Sequence, residues 1–524
     1  MEHLDIQHQL EQLIEIGISL SSEMDTAKLL EKILAGAIQI THADGGTLYR
    51  IYDNAIRMEI VHSTSLRIRR GGSSELPVNM PDIPLFLADG SPNMKNVVSC
   101  SIHNNSTINI VDAYNDQHFD FSGTKAFDQQ NHYRSQSFLA VPMRNHENDI
   151  IGILQLINAI DPVSKQITRF DLISQRLTEA LASQAAIVIT KQRLIADLEE
   201  MFESLIRLIA TAIDDKSPHT GGHCRRVPEL TMMLAEAAHD TQEGYLKDFT
   251  MTDADRYELK IAGWLHDCGK ITTPEYVIDK STKLQTIFDR IELVETRFEV
   301  LKRDCEIAML KQHVNALASG QAVNADVESV YKAQLAQLEA DLAFIKQANI
   351  GAESMSEYDI QRISAFYNQT WQLNAETLPL LSENEIYNLS VARGTLTTEE
   401  REIINHHISA TIAMLEKIRF PKHLKNVPEY AGGHHERMDG KGYPKGLRRE
   451  DMSIQARTMA IADIFEALTA KDRPYKHGKK LSESLAILEK MKNNQHIDPD
   501  LYEAFIKQKV YKRYAEKVFR RLSN

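Results

Sequence analysis

Residues 261–270 read IAGWLHDCGK. Ile261, Leu265 and Cys268 recur at helical spacing, so the stretch is an apolar helical stripe with His266 and Asp267 beside it. Gly269 is placed to end the helix, and Lys270 adds a cation at the same point, where a phosphate could use it. A neutral imidazole next to a carboxylate offers nitrogen and oxygen donors that suit iron, manganese or zinc.

Four further clusters share that chemistry. In AGGHHERMDGKGYPKG (431–446), the adjacent His434 and His435 would project about 100° apart on a helix and so serve two neighbouring metals. The glycines and Pro444 behind them make a loop whose backbone can approach a ligand closely. In ARTMAIADIFEALTAKDRPYK (456–476), Asp463 lies in an almost uninterrupted apolar helix, where a bare carboxylate needs a cation or a proton. Arg473 and Lys476 follow it, both suited to phosphate oxygens. In HTGGHCRRV (219–227), His219 and His223 share one face if helical. In LTTEEREIINHHISATIAMLEKI (396–418), Thr397 and Glu400 form a capping box, and periodicity does not choose between His406 and His407. Such a set can hold two metals about 3.5–4 Å apart for attack on a phosphodiester, with Lys270 and Arg473 neutralising the phosphate oxygens. Cys224 and Cys268 read as small apolar fillers among these ligands.

The chain around these clusters has 524 residues, too many for one core, and is 43% hydrophobic and 25% charged, as in a globular protein of two or three domains. Its net charge of −13 argues against a general nucleic-acid partner, yet leaves room for a small phosphorylated ligand met by a few local cations. The polar start MEHLDIQHQLEQ is no signal peptide, and no apolar run suffices to cross a bilayer. Cys100, Cys224, Cys268 and Cys305 lack paired spacing, which fits a reducing, cytoplasmic location without disulfides or a membrane.

Residues 1–170 read as mixed α/β, with helices near 5–20 and 26–41 and strands near 47–53, 57–62, 107–112, 136–144 and 150–158; the last is apolar on both faces, as a central strand would be. Over 171–213, Leu181, Val188, Ile195, Phe202 and Ile209 repeat every seven residues, with Leu198, Leu205 and Ala212 at the other seam position; this predicts a coiled-coil connector in a parallel homodimer. The mostly helical remainder, 200–524, is interrupted by 284–394, where a seam from Leu284 through Ile287, Ile291, Val294, Phe298, Leu301 and Cys305 to Ala308 resumes from Tyr331 to Ile345 and predicts a helical hairpin. Leaving after Lys270 and returning before His407, this insertion has a gating or docking position.

HDCGK at 266–270, HHERMDGKGYP at 434–444 and ADIFEALTAKDRPYK at 462–476 closely resemble the HD-GYP family, a subgroup of the all-helical HD metal phosphohydrolases. The resemblance covers about 200–283 and 395–515 and implies hydrolysis of a cyclic dinucleotide, c-di-GMP or 3′,3′-cGAMP, to linear products with iron or manganese. By position, it implies that His223, His266, Asp267, His407, His434, His435 and Asp463 are metal ligands, which selects His407 over His406. Lys270, Arg473 and Lys476 match positions that meet the substrate phosphates, Tyr443 sits beside the substrate cleft, and Asp267 and Lys270 carry the catalysis. Members with a third metal have Glu one turn before the position of His223, where this chain has His219; two metal ions are therefore expected, with a third left open. Glu466 stands where Asp is usual, outside the ligand set.

INIVDAYNDQHFD, SFLAVPMRN and GILQLINA in the N-terminal region look like a GAF domain and are similar to its cyclic-nucleotide-binding members. Asn158 is followed by Ala159 where those members have Lys, so the resemblance implies a small ligand without naming it, with dimerisation as the other reading. The expected architecture is an α+β GAF sensor domain (1–170), a connector (171–213) and an all-α HD-type catalytic domain (200–524) with a helical insertion (284–394). Hydrolysis of another nucleotide and a non-catalytic signalling scaffold are the competing functions.

Overall fold

The computed structural model describes residues 2–23, 25–74, 76–216, 222–320, 322, 325–351, 354–374, 376–470 and 478–522. The chain divides into two compact units, Met1–Met201 and Phe202–Asn524.

The first unit opens with two helices, α1 (Glu2–Ser22) and α2 (Thr26–Thr41). Asp25 starts α2 by accepting from the backbone of Ala27 and Lys28, and His42 stops it in a left-handed conformation. Strands β1 (Ala43–Tyr52), β2 (Ala55–Ser63), β3 (Ile68–Gly71) and β4 (Ile83–Pro84) follow, then α3 (Val97–His103), β5 (Ile108–Ile110), α4 (Ser122–Asn131), β6 (Phe138–Arg144), β7 (Ile150–Ile160) and β8 (Ile167–Thr168). They form one sheet in the order β3-β2-β1-β7-β6-β5, with β4 added to β2 and β8 to β7, and the pairings are antiparallel. β7 is central, and its two apolar faces feed two cores. Leu154 and Leu156 pack with the α2 side chains Leu29, Ile33 and Leu34, while Ile153 packs with Ile56, Val98 and Phe138.

α5 (Leu172–Lys216) is one helix of 45 residues, and the boundary between the units falls within it. Along its seam, Leu181 and Val188 pack into the sheet's helical core, Ile195, Leu198, Leu205 and Ile209 are exposed, and Phe202 packs on the core of the second unit. Off the seam, Leu194, Met201 and Leu208 are exposed too, and Ile206, Ala210 and Ile213 enter the core of the second unit.

The second unit continues with α6 (His223–His239), α7 (Asp253–Leu265) and α8 (Glu275–Ile278). An inserted module then precedes α13 (Thr398–Leu415), α14 (Val427–Gly432), α15 (Ile454–Thr469), α16 (Leu481–Asn493), α17 (Pro499–Lys507) and α18 (Val510–Leu522). Thr252 with Asp255 and Thr397 with Glu400 form capping boxes at the starts of α7 and α13.

The insertion contains the expected hairpin, α9 (Ile291–Ala318) and α10 (Ala325–Asn349), antiparallel because Glu295 near the start of α9 meets Lys346 near the end of α10 at 2.7 Å. Its bounds differ from the expected seam. Leu284 is buried but precedes the helix, and Ile287 is 97% exposed. The reason is that the Leu284 amide bonds to the Asn349 side chain across the hairpin base, which fixes 284 in a turn. The module also holds α11 (Glu357–Ala365), a two-stranded ribbon of β9 (Thr370–Leu373) and β10 (Glu376–Pro379), and α12 (Glu383–Leu389), around a core of its own that includes Val294, Phe298, Ile345, Ile363 and Leu381. The two ends of the insertion are fastened together: the Lys280 ammonium donates to Glu400 at 2.7 Å and to Asn388 at 2.8 Å, and the Thr395 hydroxyl donates to the Lys280 carbonyl.

Candidate metal centre

Five segments bring donors to one cleft of about 250 Å³, lined by His223, Asp267, His407, His435 and Asp463 together with Lys270 and Tyr443. α6 begins at His223, whose Nε2 lies 3.1 Å from Asp463 Oδ1 and 3.3 Å from Asp267 Oδ2. α7 ends at Leu265, earlier than Gly269, and this leaves His266 and Asp267 in the turn that follows. Gly269 has a different task there: a Cβ on it would stand 2.0 Å from the His407 carbonyl, so only glycine lets this turn lie on α13. The Gly269 amide donates to Thr411 Oγ1 at 2.8 Å, which fixes the contact.

α13 points His407 inward and buries it, while His406 is exposed, so the histidine selected by resemblance is also the one in the site. His434 and His435 are not on a helix: α14 stops at Gly432, packed so closely on Ile412 that a Cβ would meet its side chain at 2.6 Å. Both rings therefore leave from a turn, 4.3 Å apart, and join His407 in a single group rather than dividing between two. The second such group is His223, His266 and Asp267. Asp267 lies between them, with Oδ1 at 3.3 Å from His407 Nε2 and Oδ2 at 3.2 Å from His266 Nε2.

The fit to metal ions rests on unpartnered atoms. His266 and His434 direct Nδ1 to the carbonyls of Gly263 and Ala431 at 2.7 and 2.6 Å, and His407 does the same to Ile404. A carbonyl only accepts, so each Nδ1 carries a proton and leaves Nε2 as the ring atom that would meet a metal. The Nε2 atoms of His266, His407 and His434, and Asp267 Oδ1, are buried and have no hydrogen-bond partner among the described residues. Orphans of this kind are costly unless a cation occupies the space between them.

Burial, reinforced by the neighbouring His435 and His266, holds His434 well below the usual imidazole range, and burial brings His435 down to about 4. Both rings are thus neutral at pH 7, whereas at His223 burial is outweighed by the carboxylates of Asp267, Asp463 and Glu466, which raise the imidazole well above its usual range. Burial alone would raise Asp267, but Lys270 and His266 outweigh it and keep the carboxyl ionised.

Two residues outside the expected ligand set complete the arrangement. Glu466, one turn after Asp463 on α15, is buried and bonds His223 Nδ1 through Oε2, while its Oε1 accepts from Arg226 Nε at 2.6 Å. It orients His223; a second buried carboxylate one turn from Asp463 signals that Glu466 needs a partner, though not which one. Glu436 accepts from the amides of Lys445 and Leu447 at 2.7 and 2.9 Å and folds the loop that carries Tyr443. A Cβ on Gly442 would lie 2.4 Å from the Glu436 backbone, so this loop also depends on a glycine. The Tyr443 ring stacks on His435 at 4.9 Å, and burial pushes its hydroxyl up to about 12. Lys270 Nζ lies on Asp267 Oδ2 at 2.6 Å, and Cys224 and Cys268 are buried in the surrounding core. His219, Arg473 and Lys476 lie outside the described residues.

Comparison with known proteins agrees with both units. Residues 25–189 match the family model of the GAF domain, and residues 378–501 match that of the HD domain. The chain therefore carries a GAF domain followed by an HD domain. The HD match begins within the final stretch of the 284–394 insertion. Relatives include a cyclic di-GMP phosphodiesterase of Thermotoga maritima, 38% identical over 114 residues, which are 22% of this chain and 30% of that protein. A cyclic di-GMP phosphodiesterase of Pseudomonas aeruginosa is 40% identical over 22% of this chain and 26% of its own length. A 3′3′-cGAMP-specific phosphodiesterase of Vibrio cholerae is 36% identical over 22% of this chain and 24% of its own length. The chain thus spans less than a third of each of these relatives.

Proposed function

We propose that the protein is a metal-dependent phosphodiesterase that hydrolyses a cyclic dinucleotide, c-di-GMP or 3′,3′-cGAMP, to a linear product. The observation that carries this reading is the set of orphaned donors, three Nε2 atoms and Asp267 Oδ1, that belong to two adjoining groups able to hold a metal. Imidazole and carboxylate donors suit iron or manganese. When bound, a pair of such ions supplies a water acidic enough to act as nucleophile and Lewis-acid stabilisation of the phosphoryl oxygens.

The chain's own residues do the rest. His223, His266 and Asp463 would hold one ion and His407, His434 and His435 the other, with Asp267 shared through its two oxygens. Burial opposes the charge on Lys270, yet Asp267 more than offsets it and keeps the ammonium protonated, available to a phosphate oxygen in the cleft. Tyr443, protonated at neutral pH, is a hydroxyl donor at the rim. Arg473 and Lys476 would meet the second phosphate.

In the GAF domain, a cavity of about 640 Å³ supports binding of a small regulatory ligand. The exposed apolar stripe of α5 supports a parallel homodimer, and no described helix is long and apolar enough to cross a membrane, in keeping with a cytoplasmic enzyme. The test is to load the purified chain anaerobically with iron or manganese and supply both cyclic dinucleotides. Linear dinucleotide should accumulate. Faster turnover of mononucleotides or linear dinucleotides would assign the site to another phosphoester, and metal binding without hydrolysis would favour a scaffold.

A further inference from the structure

We infer that Asp214 and Lys216, in the last turn of α5, are positioning residues for the metal centre. The inference rests on the metal-centre reading but not on the identity of the substrate. Neither residue lines the cleft, yet each fastens a segment that delivers a ligand. Lys216 Nζ donates to the carbonyls of Ile271 at 2.6 Å, Thr273 at 2.7 Å and Lys270 at 3.3 Å. An ammonium has three N–H donors, and all three are committed to one turn. That turn, Cys268–Thr272, directly follows Asp267; the Thr273 amide meets the Lys270 carbonyl at 3.1 Å, and Lys216 supplies the donors for the carbonyls beyond it. A cation at this end is the favourable charge.

Asp214, 5% exposed, acts on the other segment. Its Oδ2 accepts from the Gly222 amide at 3.1 Å and its Oδ1 from the Cys224 amide at 3.2 Å. These amides flank His223, the first residue of α6, and the N-cap Gly222 has no side chain to satisfy them. A carboxylate from the preceding helix takes that place and brings its negative charge to the positive end of α6. Two residues on one helical turn thus hold the backbone of His223 and the backbone behind Asp267. Those two ligands meet at 3.3 Å, so a small shift of this turn changes the spacing between them.

A mere staple would hold the fold without setting the site, and metal affinity separates the two. In the full chain, Lys216→Met and Asp214→Ala should each weaken Mn(II) binding about tenfold, with Lys216→Arg restoring most of it. Lys260→Met removes a different contact to the same helix, the 3.0 Å pair with Glu203, and should leave Mn(II) affinity unchanged. Unchanged affinity in Lys216→Met, or an equal loss in Lys260→Met, would overturn the inference. Hydrogen exchange on the unmodified protein needs no variant to fold: adding Mn(II) should slow exchange in 222–226, in 268–273 and in the last turn of α5, and no slowing in that last turn would overturn it too. A wild-type chain that binds no Mn(II) would instead sink the metal-centre reading itself.

Discussion

The GAF cavity and the metal cleft are built on opposite principles. The GAF cavity is the larger, about 640 Å³ against 250 Å³, and none of the buried polar side-chain atoms described along it lacks a hydrogen-bond partner. Tyr49 donates to Gln155 at 2.7 Å, Asn158 donates to the Tyr133 hydroxyl at 2.9 Å, and Tyr133 donates to Asp44. Its walls combine apolar side chains such as Met58, Phe121 and Phe138 with polar ones such as His62, Arg70 and Gln130. The metal cleft is smaller and left incomplete, with buried nitrogens and a carboxylate oxygen that make no hydrogen bond among the described residues. A site with satisfied walls selects by shape and tolerates being empty; a site with orphaned donors is finished only by the charge it binds.

Removing the shared carboxylate should have the largest effect. Asp267→Ala takes away the group that faces both histidine clusters, so turnover should fall by about 10²-fold or more and metal content should drop, while the GAF unit keeps its melting behaviour. Activity assays beside elemental analysis check this, and full activity would break the contrast between the sites.

Glu466→Ala comes next. It frees His223 Nδ1 and leaves Arg226 without this carboxylate, and metal affinity measured by chelator competition should fall about 10- to 100-fold. Glu466→Asp should recover part of it if orientation of His223 is the cause.

In the other site, Tyr49→Phe strips the donor from Gln155, a cost of about 1–3 kcal/mol in the stability of the first unit. Denaturant melts should register that loss with metal content unchanged. A loss of metal in this variant would mean that the two sites are not separately built.

The smallest effect concerns two buried lysines. Lys270 has a carboxylate partner and stays charged, whereas Lys283 is fully buried and donates to the Leu389 carbonyl at 2.8 Å; burial brings it down to about 8 from 10.5. Below pH 8 the folded and unfolded chains both hold this proton; between 8 and 10.5 only the unfolded chain does, so this group's contribution to stability rises with pH across that window. Wild type should therefore gain stability relative to Lys283→Met between pH 8 and 10.5, in denaturant melts at the two ends of the range. A difference that stays flat would show that Lys283 carries no such penalty.

Most of this was legible from residue pattern because period and chemistry coincide. The apolar run 150–158 read as a central strand and is one, since a strand buried on both faces has no polar register to show. Asp463 stood out because a carboxylate interrupts an apolar helical stripe, and His266 and Asp267 because they stand beside one, whereas only the family resemblance separated His407 from His406. What stayed hidden depends on contacts distant in sequence. The end of α7 at Leu265 is set by the turn against α13, and the helix break before His434 by the approach of Gly432 to Ile412. Glu466 orients His223 across 243 positions, a pairing no local pattern encodes. The short strands β3, β4 and β8 and the ribbon β9–β10 are too brief to carry a period. The 194–209 stripe was read correctly as apolar and helical, yet periodicity is silent on what covers it.

If Asp267 stands between two metal ions, crystals of the full chain grown with Mn(II) and measured near the manganese absorption edge will show two anomalous peaks about 3.5–4 Å apart, one beside His223, His266 and Asp463 and the other beside His407, His434 and His435, with Asp267 between them. A single peak, or peaks away from the orphaned nitrogens, would contradict it.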